Sequence, residues 1–334
     1  MMEVKKVQEV KGSYYIYLPK AWCKQYVVNE ASGTPKNSLK EIQLKRNEDD
    51  SLLILPRDRQ TSDTLQLSLQ LDSSSNEESV LNSILAGYIV GIDRIELVTK
   101  TKLSLELRDK IFQLMKQCIG FEITEETSNK IIMQEVSTTV ELDGMMRQLL
   151  SKVGLVLTYV ADIIKTTNVK DAHLVISQDD ETDKFRYSIE RQVHQILRQP
   201  NLARKLKISA IECHHFSQCM KYIERIADHC VSIASLIVEQ KKPSSVLLQL
   251  YQKVRDLYVQ MKNDFYPVDV EANYNVINEH YKIITELEEL EQVNNEDSFF
   301  TIHLKRICSY CSDIAEVRIN SFVYKKAYGL NHTI

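Results

Sequence analysis

Tyr222-Ile-Glu-Arg-Ile-Ala-Asp-His-Cys-Val-Ser-Ile-Ala234 lies inside a long run patterned as a helix. Cys219, Ile223, Ile226, Cys230, Ile233 and Ile237 recur at three and four and line one face. Glu224 and Asp228 stand one turn apart and share a face beside that stripe. A helix that needed only solubility would scatter its acids among lysines. Carboxylates this close to an apolar seam need a base, a metal ion or another protein as partner.

A second acidic cluster, Asp179-Asp-Glu-Thr-Asp183, repeats the spacing with Asp179 and Asp183. Pro200-Asn201 breaks the chain between the two clusters and folds one helix back on the next. The clusters are centred about 20 residues before and 25 after that turn, so at roughly 1.5 Å per residue they face each other within about two turns. Four carboxylates at similar height suit a hard divalent or trivalent cation. Arg186, Arg225 and water are the alternative neutralisers of what would then be an acidic surface strip.

From Glu141 onward the pattern is helical almost throughout, with Leu142, Met145, Leu149, Val153, Val156, Val160 and Ile163 repeating at three and four. Breaks near Thr167, at Pro200-Asn201, at Pro243, near Pro267 and at Asn294-Asn295 predict six helices in two groups of three, 141–240 and 244–328. Arg306-Ile-Cys-Ser-Tyr-Cys-Ser-Asp-Ile-Ala-Glu316 loosely echoes the stretch from Arg225, with Lys305 where the first copy has an acid and Ser309 where it has Asp228. The stretch Tyr222–Ala234 and its setting resemble the signature helix of PhoU proteins, the phosphate-uptake regulators. That resemblance implies a duplicated three-helix unit over 141–328 and a cation (Mg, Mn, Fe or Zn) at Asp179, Asp183, Glu224 and Asp228.

The other end of the chain is different in kind. Residues 4–18 alternate and are rich in Val, Tyr and Ile around Lys11-Gly12-Ser13, a strand, a turn and a strand. Pro19 opens a short helix, and strands near 41–46 and 51–55 flank the turn Asn47-Glu-Asp-Asp50. The words Lys-Gly-Ser-Tyr-Tyr-Ile-Tyr-Leu-Pro-Lys-Ala-Trp and Ser-Leu-Leu-Ile-Leu-Pro resemble the SpoVT/AbrB-type DNA-binding domain. The resemblance implies an interlocked, swapped-hairpin homodimer over 1–57, since so few strands cannot bury a core alone. An inserted loop, Asn29–Asn37, stands where that family has Gly-Asp.

Charge agrees with a nucleic-acid contact at one end only. Residues 1–46 carry nine bases against four acids, while the whole chain has a net charge of −4. Lys5, Lys6, Lys11, Lys20 and Lys24 are the candidate phosphate contacts. Between the two ends, 61–136 reads as a small α/β domain: a strand at 64–71, helices at 77–90 and 104–118, a strand at 94–98 and a hairpin at 121–136, with an antiparallel sheet. It carries no catalytic word and reads as a connector or a ligand sensor.

The rest of the sequence excludes more than it suggests. Seven cysteines without framework spacing, no apolar signal-peptide core and a longest apolar run (Val153–Val160) of half a membrane span point to the cytoplasm, without membrane insertion. His215 and Cys219 are one turn apart but make only half a zinc site, and Cys308-Ser-Tyr-Cys311 lies in a helix; both read as packing residues. There is no phosphate loop, Ser/His/Asp set or activated cysteine, so no enzyme is expected. The fusion of both ends resembles archaeal PhoU-like regulators. It implies a homodimeric regulator of phosphate uptake that binds DNA or, alternatively, an adaptor on the phosphate ABC transporter's ATPase with the front end serving only to dimerise.

Overall fold

The computed structural model describes residues 5–26, 42–46, 52–56, 64–72, 75–137, 142–294 and 297–328. The inserted loop at 29–37 and the turn at 47–50 lie outside the described residues. The chain divides into two compact units, 1–63 and 64–334.

Among its described residues the first unit holds two separate ladders and one helix. Strands β1 (Gln8–Val10) and β2 (Ser13–Tyr15) pair antiparallel across Lys11 and Gly12, whose φ of 52° and 82° make a turn with the twist a hairpin needs. Helix α1 (Lys20–Tyr26) starts after Pro19. Strands β3 (Ile42–Arg46) and β4 (Leu52–Pro56) pair antiparallel, Leu44 opposite Ile54. The alternation over 4–18 predicted longer strands. The observed ones have three residues each, as suits a two-stranded hairpin that has no further strand among the described residues. Val10, Tyr14, Tyr15, Tyr17, Leu44 and Leu52 are all exposed, and neither buried core includes a described residue of this unit.

The second unit begins with a four-stranded sheet, β5 (Gln66–Leu71), β6 (Arg94–Thr99), β7 (Phe121–Glu126) and β8 (Lys130–Glu135), in the order β5-β6-β8-β7. Helices α2 (Glu77–Ile89) and α3 (Leu105–Gln117) start at Asn76 and Ser104, whose side chains accept from the backbone two or three residues on. The expected antiparallel sheet is mixed instead. β5 and β6 run parallel, Leu67 beside Ile95, because α2 carries the chain back across the sheet before β6 begins. Gly87 lets α2 lie close on the sheet: a Cβ there would come within 2.8 Å of Ile95 Cδ1. Ile84, Tyr88, Ile95, Leu97, Ile111, Phe121 and Met133 form this layer's core.

Eight helices follow among the described residues, rather than six. The long ones are α4 (Leu142–Thr166), α6 (Asp179–Arg198), α8 (Ala210–Val238), α9 (Ser245–Asn263), α10 (Val270–Val293) and α11 (Ser298–Ala327). Two short helices, α5 (Val169–Ile176) and α7 (Pro200–Leu206), fill the connections. α7 takes Pro200 at its start and ends at Lys207, in a left-handed conformation (φ 53°). Ser209 and Glu212 then close a capping box that starts α8. α4, α6 and α8 pack on one another, as do α9, α10 and α11, and the two trios share one apolar core through α8 against α11 and α4 against α9.

Helix α6 belongs to both layers. Arg191, 3% exposed, donates to the carbonyls of Tyr88 and Ile92, pairs with Glu135 at 3.3 Å and lies over the Tyr88 and Phe121 rings. Six of the seven cysteines are buried and all seven are free. No described helix is long and apolar enough to cross a membrane.

Candidate functional site

The first turn of α6 supplies Asp179, and Asp183 follows one turn later; α8 supplies Glu224 and Asp228 at the same spacing. Apolar positions fix this facing. Ile189, Val193, Cys219, Ile223, Ile226 and Cys230 are buried in the common core, which leaves the intervening acids along the seam between α6 and α8.

The structure brings the four carboxylates into one field. Burial comes first in raising the Asp179 pKa, followed by the charges of Asp183 and Asp228. Glu224 is raised by burial and by Asp228, against the pull of Arg186 and Arg225. Asp228 is raised by burial and by Asp183, again against both arginines. Each of these shifts disfavours the charged form, as expected of acids crowded together at a partly desolvated seam.

Arg186 occupies the middle of the seam. Its Nε donates to Asp183 Oδ1 at 3.0 Å and lies 3.2 Å from Glu224 Oε1, and its Nη1 lies 3.7 Å from Glu190. The guanidinium rests over the Tyr187 ring at 4.3 Å. Burial works against its charge, and Asp183 and Glu224 outweigh that effect. Arg225 is more exposed, at 60%, and reaches Asp228 at 3.2 Å and Glu224 at 3.6 Å from the solvent side. Among the described residues no three of His, Cys, Asp and Glu are grouped as a ready-made metal centre. The donor set is still the all-oxygen kind a hard cation takes, with the cationic place at its centre held by an arginine.

In the sequence Arg186 stands out only as a possible neutraliser, and Tyr187 not at all. Tyr187 Oη donates to Asp183 Oδ2 at 3.0 Å, while its ring is buried in the core of the α/β layer; burial and Asp183 push its pKa up to about 12. Gln117 of α3 also donates to Asp180. The acidic seam is therefore wired to the sheet layer on its other side. The signal in the sequence was the i, i+4 spacing from Asp183 to Tyr187.

In the second trio one acid, Glu291, is answered by a base of the same trio. Lys305, which lines up with Glu224 only in the loose sequence echo, pairs with Glu291 of α10 at 2.7 Å, and Thr301 donates to the other Glu291 oxygen. Burial alone would raise the Glu291 pKa, but these two donors hold it below the ordinary range.

Between the trios, His229 of α8 meets His303 of α11, Nδ1 to Nδ1 at 2.9 Å, with Tyr310 stacked on His229. Burial, then His303 and Arg306, lower the His229 pKa to about 4; burial lowers that of His303. Cys219 is buried, and His215 lies edge-on to Tyr324 with its ring centroid 6.5 Å away. Cys308 and Cys311 are buried core residues.

In the first unit the five lysines do not form one strand face. Lys5 and Lys6 precede β1, Lys11 makes the hairpin turn, and Lys20 and Lys24 lie on α1.

Residues 146–237 match the family model described as the PhoU domain. That segment runs from α4 to the end of α8 and contains all four carboxylates, Arg186 and Arg225. No curated protein matches the chain significantly. Among solved structures, the phosphate transport system regulatory protein PhoU from Streptococcus pneumoniae is similar at 16% identity and a TM-score of 0.43, over 53% of this chain and 91% of that one. PhoU from Pseudomonas aeruginosa is similar at 16% identity and a TM-score of 0.46, over 55% of this chain and 96% of that one.

Proposed function

We propose that the protein is a homodimeric regulator of phosphate uptake, in which the PhoU-like helices report phosphate status and the first unit binds DNA. The observation that carries the first half is the match of residues 146–237 to the PhoU domain, centred on the acidic seam of α6 and α8. The seam is the regulatory site in this reading. Asp179, Asp183, Glu224 and Asp228 hold a hard cation there, such as magnesium, manganese or ferric iron, in competition with the Arg186 guanidinium. A bound cation would supply charge neutralisation and nothing else; no reaction is assigned to the chain. What α6 does with that change is set by Tyr187, which links Asp183 to the sheet layer.

The DNA-binding half rests on the basic excess of residues 1–46 and on hairpins whose apolar side chains stay exposed in one chain, as an interlocked dimer requires. Lys5, Lys6, Lys11, Lys20 and Lys24 contact phosphates. Binding of duplex DNA by the full chain should weaken steeply with salt, and replacing Lys5, Lys6 and Lys11 with Glu should abolish it while the protein stays dimeric. No binding even at low salt would favour the second reading, an adaptor for the phosphate transporter's ATPase whose exposed hairpins only dimerise.

A further inference from the structure

The two edges of the four-stranded sheet are built differently. β7, on one edge, carries Glu122, Glu125 and Glu126, and a register irregularity between Ile123 and Glu125 distorts its ladder with β8. Charges and bulges of this kind keep an edge from pairing with another chain. β5, on the other edge, is Gln-Leu-Ser-Leu-Gln-Leu over 66–71, with no charge, no proline and an unbroken register against β6. A flat, uncharged edge strand is a template for a further strand.

The sequence of β5 says which strand. Leu65-Gln-Leu-Ser-Leu-Gln-Leu71 reads the same in both directions about Ser68. An antiparallel two-fold axis through Ser68 sets Leu65 opposite Leu71, Gln66 opposite Gln70, Leu67 opposite Leu69 and Ser68 opposite itself. Such self-complementarity is what an isologous interface requires.

Backbone direction agrees with that register. The Leu65 carbonyl accepts from Asp93 and Arg94 and its N–H donates to Asp93, so Leu65 faces β6. Alternation along the strand turns Leu67, Leu69 and Leu71 the same way and leaves the N–H and C=O groups of Gln66, Ser68 and Gln70 pointing outward. Ser68 against Ser68, and Gln66 against Gln70 twice, then become the hydrogen-bonded pairs of an antiparallel ladder. On the helix-covered face Leu67, Leu69 and Leu71 are only partly buried against the sheet core. Pairing would set each Leu67 against a Leu69 and run the two cores together.

We infer that β5 pairs antiparallel with β5 of a second copy of this chain, centred on Ser68, to make one continuous eight-stranded sheet. The inference is carried by β5 alone and holds whether or not the first unit dimerises or binds DNA.

The test uses the full chain with Cys23→Ser, since the other six cysteines are buried. Added Ser68→Cys puts two thiols in one hydrogen-bonded pair, with Cα atoms about 5.5 Å apart, within disulfide reach. Added Gln70→Cys puts them four residues apart along the strands, roughly 13 Å, beyond it. Mild oxidation should give a covalent dimer from the first variant and none from the second. In hydrogen exchange of the parent chain, the amides of Gln66, Ser68 and Gln70 should be protected alongside those of the leucines between them. Equal crosslinking of both variants, or of neither, overturns the inference. So does amide protection without the Ser68→Cys crosslink, which would mean that some other chain covers the edge. Crosslinking without protection would mean random collision and overturns it equally.

Discussion

The two helical trios treat the Glu291 carboxylate and the acids of the α6–α8 seam in opposite ways. In the second, Lys305 pairs with Glu291 and leaves that carboxylate more easily ionised than usual. In the first, Asp179, Glu224 and Asp228 are all harder to ionise than usual, even with Arg186 among them. The Lys305–Glu291 pair is neutral as it stands, although burial and Glu316 raise the Asp313 pKa on the same helix. The first seam is over-supplied with negative charge, a condition stability alone would not favour. The difference teaches which seam an added cation would stabilise: the one kept short of positive charge.

The largest expected effect comes from removing the arginine that keeps the first seam tolerable. Arg186→Ala should destabilise the chain by about 2–3 kcal/mol, because it strips partly buried carboxylates of their shared partner. Thermal unfolding followed by circular dichroism measures it. Magnesium or manganese should restore much of the loss, since the site would then be open to a cation. A variant as stable as the parent would mean that Arg186 does not hold the seam.

Making the second seam resemble the first should cost less. Lys305→Glu puts a carboxylate against Glu291 in a seam about a quarter exposed on both sides, for a loss of about 2 kcal/mol at intermediate effective dielectric. The same thermal measurement applies, with added cation as the second arm. If the cation rescues this variant as well as it rescues Arg186→Ala, the two seams differ only in Lys305. If it does not, the geometry of α6 and α8 matters beyond charge.

How much of this contrast could be read from the sequence follows from what a single chain can say. The i, i+4 pairs on each helix were legible, as were the breaks at Pro200, Pro243, Pro267 and Asn294, because proline and capping residues act locally. The break between α5 and α6, at Ser177-Gln178, has neither glycine nor proline and was missed; so was the left-handed Lys207. The parallel pairing of β5 with β6 was also hidden, since one strand's alternation does not show its partner's direction. The same holds at the site. That Arg186 reaches Glu224 depends on the register of one helix against another, which no spacing within either helix encodes.

A smaller effect of opposite sign should come from Asp228→Asn. Its partner Arg225 is largely exposed, so little is lost with the pair, while one repelling charge leaves the seam. The cation-free protein should become more stable by about 0.5–1 kcal/mol, and its response to magnesium or manganese should shrink. A destabilised Asp228→Asn chain would place the balance of the seam in the Arg225 pair instead.

The smallest effect separates the seams by pH. His229 and His303 have lowered values in the fold, so the unfolded chain takes up protons first. Their contribution is fully present above the ordinary histidine value near 6.5 and is lost as pH falls towards 4. Arg225 and Arg306 add positive charge on the same side of the balance. The acids of the first seam have raised values, so the folded chain holds the extra protons; their repulsion is relieved as pH falls through those values towards the ordinary carboxylate range. Glu291, lowered in the fold, keeps its stabilising effect down to the ordinary carboxylate range and loses it only below. Melting temperature should therefore drop as pH falls below about 6.5, with His215 and His280, whose values are also lowered by burial, adding to the pair, and the drop should flatten as the raised acids of the first seam gain protons. His303→Gln should reduce the initial drop and leave the flattening, while Asp228→Asn should do the reverse. If both variants follow the parent curve, neither the histidine pair nor the acidic seam governs the response to acid, and the contrast between the trios is one of geometry alone.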